Sequence, residues 1–180
     1  MNTNMIIIII TILVVAFIGV GLYRATKLKT IHITQSVTID GNKQEVFDMV
    51  RYQENFTKWS PFYAQDPAQK TSVKGNDGQP GAQFHWVGRE GKDVGYQELK
   101  EVKELDYLKF GCVIEKPFKA NPTFEYSFTE SANGITVTQD FHLESGMVDA
   151  IFMGVFGAKK EMESTNQLGM SLLKKVVEAK

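Results

Sequence analysis

A single cysteine, Cys112, in 180 residues cannot close an internal disulfide, so no covalent framework holds this chain together. Its three histidines, His32, His85 and His142, do not fall at the paired spacing of a metal site, and no metal or cofactor is expected. The 20 basic and 21 acidic side chains leave a net charge of −1, too little to draw in nucleic acid or an anionic surface. Repeats, low-complexity tracts and long linkers are also missing, which excludes solenoid and disordered-tail architectures. Gly75, Gly78 and Gly81 are spaced like turn glycines and do not open a helix as a phosphate loop would.

What the chain does have begins at once. Residues 5–22 read MIIIIITILVVAFIGVGL, broken only by Thr11, and the first charged side chain is Arg24. At 1.5 Å per residue such a helix covers about 27 Å, near the hydrocarbon thickness of a bilayer. A membrane anchor is therefore expected. The alternative, a cleaved secretory signal, lacks a positive n-region, and Gly19-Val20-Gly21 is a weak imitation of a cleavage site. Tyr23 suits the headgroup level, and Arg24, Lys27 and Lys29 on the C-terminal side favour a single-pass protein of the cell membrane whose C-terminal domain is cytoplasmic. The organisation expected is an anchor at residues 1–24, a short linker at 25–29 and one domain at 30–180, a length that suits one core.

Residues 30–39 alternate as a strand, with Ile31, Ile33, Gln35, Val37 and Ile39 on one face. Two short helices follow, the first carrying Val46, Phe47 and Val50, the second ending before Pro61. From residue 70 to 144 turn dipeptides punctuate about six antiparallel strands. Alternation places Phe84 and Trp86 together, then Leu108, Phe110, Cys112 and Ile114, then Phe124, Tyr126 and Phe128, and finally Ile135, Val137, Gln139, Phe141 and Leu143. A long amphipathic helix from about 148 to 179 presents Ile151, Val155, Ala158, Met162, Gly169, Leu173 and Val176. The result expected is an α+β fold, a curved antiparallel sheet of about seven strands around a long C-terminal helix, preceded by one transmembrane helix.

Particular residues sharpen this. Trp59-Ser60-Pro61-Phe62, Asp66-Pro67, Gly78 and Gly81 leading into Phe84-His85-Trp86-Val87-Gly88, then Gly95, Lys116-Pro117 and Gly134-Ile135-Thr136-Val137-Thr138 resemble the polyketide cyclase/dehydrase branch of the START-like (SRPBCC, Bet v 1-type) superfamily over about residues 30–179. The resemblance implies the helix-grip fold. Members of that superfamily bind lipids, hormones, polyketides and aromatic compounds, and only some are enzymes. Where the branch often has Trp near the end of the last strand, this chain has Gln139.

A cavity between sheet and helix is expected to be lined by Trp59, Phe84, Trp86, Phe110, Tyr126 and Phe141 with Val155 and Met162 of the last helix. Gln97 and Gln139 are the polar candidates, because each shares a strand face with apolar neighbours. A buried amide without partners costs roughly 1–3 kcal/mol, so it is satisfied by neighbours or fixes a ligand's polar end. Glu98, Glu125, Asp140 and Glu144 fall on the outward parity, and so do the histidines, leaving no proton-cycling group inside. Cys112, on an apolar face, is a small core hydrophobe with a raised pKa. No catalytic residue is assigned.

The function expected is a membrane-anchored module that binds a hydrophobic small molecule or lipid, without turnover. A cyclase/dehydratase-like enzyme using Tyr126, Gln97 or Gln139 to orient substrate is one alternative. A regulatory protein-interaction module on the same fold, with a protein partner and a filled interior, is the other.

Overall fold

The computed structural model describes residues 3–26, 29–146, 150 and 157–179. Helix α1 spans Thr3–Thr26, as the apolar run requires. Among the described residues, however, no helix is long and apolar enough to cross a membrane. The expected single-pass anchor, its membrane contact through residues 5–22 and the cell-membrane localisation are corrected accordingly. The linker expected at 25–29 falls partly outside the described residues.

Seven strands form one antiparallel sheet: β1 (Thr30–Ile39), β2 (Lys70–Lys74), β3 (Gln83–Gly88), β4 (Asp93–Lys103), β5 (Tyr107–Lys116), β6 (Thr123–Ser131) and β7 (Gly134–Glu144). Their spatial order is β1-β7-β6-β5-β4-β3-β2, so β1 and β2 are the edges. The meander from β2 to β7 follows the turn signals, and β1 pairs back onto β7 from Thr30 opposite Glu144 to Ile39 opposite Ile135. Register shifts at Val94/Gly95 and Leu99/Glu101 add local twist to the β4–β5 pair. In β2 all five side chains are exposed.

Three α-helices and a 3-10 turn at Gln53–Asn55 fill the β1–β2 connection. In α2 (Lys43–Arg51) the Asn42 side chain caps the start by accepting from the Gln44 N–H at 2.9 Å, and Val46, Phe47 and Val50 are buried. Helix α3 (Phe56–Trp59) gives way at Ser60 to α4 (Pro61–Gln65). Pro61 thus starts a helix as well as stopping one: it stands in the first turn of α4, where its missing N–H costs nothing, and Ser60 Oγ accepts from the Tyr63 N–H at 3.2 Å.

The C-terminal helix, α5, is Ala158–Glu178. Gly157, with a left-handed φ of +65°, precedes it, so the helix does not run unbroken from residue 148. Ile151 and Val155 of the expected stripe lie outside the described residues. The face α5 buries holds Asn166, Gly169, Met170, Leu173 and Val177, and it lies against β1 and helices α2, α3 and α4. Gly169 lets Pro61 come close, since a Cβ there would stand 3.3 Å from Pro61 Cδ.

The core is in two parts. One cluster joins Ile39, Val46, Phe47, Trp59, Leu108, Phe110, Tyr126, Val137, Met170 and Leu173, with others. The second joins Ile31, Ile33, Phe141 and Leu143, with Met162 packed on it and Phe124 packed against both clusters.

Candidate functional site

The division between the two clusters follows a polar row across the sheet. Gln35 of β1 stands opposite Gln139 of β7, which stands opposite Tyr126 of β6. On β1, Val37 and Ile39 go to the first cluster and Ile31 and Ile33 to the second; on β7, Val137 and Ile135 go to the first, Phe141 and Leu143 to the second. Gln35 and Gln139 occupy the step between. Helix α5 repeats the pattern, because Met162 packs on the second cluster, Met170 belongs to the first, and Asn166 lies between them. The seam between sheet and helix is therefore amide-bearing on both sides.

Burial makes these amides consequential. Gln139 and Tyr126 are each 4% exposed and Asn166 is 6% exposed. Gln139 Nε2 donates to the Tyr126 hydroxyl at 2.7 Å. Among the described residues Gln139 Oε1 and Asn166 Nδ2 have no hydrogen-bond partner, one an acceptor on the sheet and the other a donor on the helix. Two such atoms left unpaired would each cost about 1–3 kcal/mol. A third unpaired atom, Asp48 Oδ1, belongs to a carboxyl on α2 whose other oxygen accepts from Gln44.

Tyr126 is held on edge between aromatic rings, 6.1 Å from Trp59 and 5.9 Å from Phe110 by ring centroids. Burial raises its phenol well above the ordinary range, against the opposing hydrogen bond from Gln139. Burial likewise pushes the Cys112 thiol up to about 12, so it is a neutral group near neutral pH.

The other residues singled out from sequence have these places. Trp59 is buried and donates its Nε1–H to the Met49 carbonyl at 3.1 Å. Phe84 and Phe110 are buried in strands β3 and β5, and Phe56 meets Phe84 edge to face at 5.2 Å. Trp86 is half-buried, donating to Asp93 Oδ1 at 3.0 Å. Phe141 is buried in the second cluster. Val155 lies outside the described residues.

Gln97 is committed elsewhere: its Nε2 donates to Gln53 Oε1 at 2.7 Å, and Gln53 Nε2 in turn reaches the Ala82 carbonyl at 3.3 Å. Gln53, 1% exposed, and Asn166 escaped the sequence reading. Gln53 sits in a polar stretch between helices, with nothing local to mark it as interior. Asn166 did carry a signal, standing four residues after Met162 and three before Gly169 on the helix stripe.

Recesses indent the described surface. One, about 590 Å³, is bounded by Asp40, Gly41, Asn42 and Glu178. Another, about 470 Å³, runs between β1 and α5, bounded by His32, Ile33, Thr34 and Gln35 on one side and Lys160, Glu163, Ser164 and Gln167 on the other. Neither is bounded by the aromatic residues expected to line a cavity. The second brings the outside to Gln35, the first member of the polar row.

On the opposite sheet face, Asp140 accepts from Thr34 Oγ1 at 2.5 Å and pairs with His32 Nε2 at 2.9 Å. Glu98 is held by Gln83 and Lys100, and Glu125 by Lys109 at 2.7 Å. Among the described residues no group of three His, Cys, Asp or Glu side chains could hold a metal ion.

Residues 30–178 match the family described as polyketide cyclase / dehydrase and lipid transport. Among solved structures, the Staphylococcus aureus protein of unknown function SA2116 is similar at a TM-score of 0.62 and 17% identity, over 83% of this chain and 94% of its own. Protein CV1439 from Chromobacterium violaceum gives a TM-score of 0.60 at 10% identity, over 83% of this chain and 97% of its own. The di-domain ARO/CYC StfQ from the steffimycin biosynthetic pathway gives 0.62 at 11% identity, over 85% of this chain and 52% of StfQ. At such identities the likeness is one of fold. No curated protein matches the chain.

Proposed function

Because the chain belongs to the polyketide cyclase/dehydrase and lipid transport family through residues 30–178, we propose that it binds a hydrophobic small molecule at the seam between sheet and helix α5. The observation that carries this is the split core with an unpartnered, 4%-exposed Gln139 at the division. A protein that only needed a core would gain by an apolar residue there, since an unsatisfied buried amide is destabilising. The apolar body of a ligand would lie along Phe141, Phe124 and Tyr126, and its polar end would meet the amides. The recess at Gln35 is the entry. Of the residues singled out from sequence, Tyr126, Gln139, Phe141 and Met162 border this seam, and they are the binding residues in this reading. Binding rather than turnover fits the inward-facing groups, which are amides, a phenol and a thiol raised to about 12.

The test uses the full chain and the neutral apolar dye N-phenyl-1-naphthylamine. Saturable binding near one equivalent is expected, lost in Gln139→Trp, which fills the seam, and kept in Gln139→Leu. Native mass spectrometry before and after solvent extraction then identifies any retained molecule, lipid or otherwise. No saturable dye binding, or binding indifferent to Gln139→Trp in a folded variant, would overturn the reading in favour of a protein-interaction module.

A further inference from the structure

From the unpaired atoms on the two walls of the seam we infer that the ligand ends in an uncharged group that both donates and accepts a hydrogen bond, a hydroxyl in the simplest case, bridging Gln139 on the sheet and Asn166 on the helix. This rests on the binding site proposed above and specifies what it selects.

The argument is one of complementary deficits. Gln139 Oε1 lacks a donor and Asn166 Nδ2 lacks an acceptor, both are more than nine-tenths buried, and they do not bond each other. A group inserted between them must give a proton to one and lend a lone pair to the other. A hydroxyl does both with one atom; an ether only accepts, and an ammonium only donates. The requirement follows from the orientation in which Gln139 Nε2 donates to the Tyr126 hydroxyl, which turns the acceptor Oε1 toward the seam; with the amide exchanged end for end, Nε2 and Asn166 Nδ2 would be two free donors and an ether would serve as well as a hydroxyl.

Charge is selected against for a separate reason. The seam is walled by Tyr126, Phe141, Met162 and Met170, and the charged side chains nearest the route, Lys160 and Glu163, line the outer recess. A carboxylate or ammonium drawn into the seam would lose its hydration with no counter-ion among the described residues there.

The experiment displaces N-phenyl-1-naphthylamine from the full chain with four probes on one body: 2-naphthalenemethanol, its methyl ether, 2-naphthoate and 2-naphthylmethylammonium. The alcohol is expected to bind at least tenfold more tightly than each of the others. That preference should shrink to less than threefold in Gln139→Leu and in Asn166→Leu, each ranking being read against that variant's own dye affinity. If either variant fails to fold, the wild-type ranking alone decides. Equal binding of alcohol and ether, tighter binding of an ion, or displacement by none of the four while the dye binds normally, would overturn the inference and leave the binding site standing. Absence of dye binding would overturn both.

Discussion

Trp86 lies across Gly95, its cross-strand partner on β4, so closely that a Cβ on Gly95 would stand 2.5 Å from Trp86 Cζ2 and would also meet the Val113 carbonyl oxygen. The indole is fixed there by its hydrogen bond to Asp93. Gly95→Ala is therefore expected to destabilise by about 1–3 kcal/mol, the range for overpacking. Chemical denaturation checks it, and a loss under 0.5 kcal/mol would show that the indole can move aside freely.

Gln53 and Gln97 form a buried amide pair that should behave as a unit. Gln53→Leu alone leaves Gln97 Nε2 and the Ala82 carbonyl without this partner and is expected to cost about 1–3 kcal/mol. Gln53→Leu with Gln97→Leu should cost less than the sum of the single changes, by at least about 0.5 kcal/mol. A strictly additive double-mutant cycle would contradict the pairing.

Cys112 makes alkaline stability a readout of the core. Its thiol is raised to about 12 in the folded chain by burial, with Asp93 adding to it, against about 8.5 when unfolded. The contribution to stability is complete below the unfolded value and is lost as pH climbs through the folded one, at up to about 1.4 kcal/mol per pH unit. Between pH 9 and 11, Cys112→Ala should lose stability less steeply than the parent chain. Parallel slopes would show that the thiol is solvated. Below pH 8, iodoacetamide should label Cys112 only as fast as the fold opens.

Asp140 supplies the acid-side counterpart. Burial raises its carboxyl, but the hydrogen bonds from Thr34 and His32 and the charges of His32 and His142 outweigh that and hold it below the usual carboxylate value. Stability from a lowered carboxyl is present above its unfolded value and disappears as pH falls through the folded one. Asp140→Asn should cost about 0.5–1 kcal/mol at pH 7, the scale of a partly exposed pair. Its deficit should shrink as pH falls below the ordinary carboxylate value, as acid titrations of both chains would show.

The legible part of this fold was whatever repeats at a fixed period. Strand alternation assigned Leu108, Phe110 and Cys112 to one face and Glu98, Glu125 and Asp140 to the other, and the structure has them so. It also marked Gln139 as an inward amide in a row of apolar residues. Illegible were the relations between distant segments. Gln97 looked available until Gln53, 44 residues away, took its N–H. The division of the core needs β1, β7 and α5 together, because each contributes one amide to a line that no single segment displays. Residues 5–22 read as a span from their length and apolar character, whereas among the described residues no helix is long and apolar enough to cross a membrane.

Strand β2 closes one side of the sheet with a chain segment that, among the described residues, pairs only with β3 and exposes all five of its side chains. An unpaired strand edge is a template on which another chain can lengthen the sheet, the route to aggregation. Lys70 and Lys74 stand at its two ends. A second molecule approaching edge to edge brings two more ammonium groups against them, so self-addition is opposed while a segment rich in carboxylates would not be. The protection is electrostatic and hence salt-sensitive, which makes high ionic strength the condition under which concentrated protein loses it first.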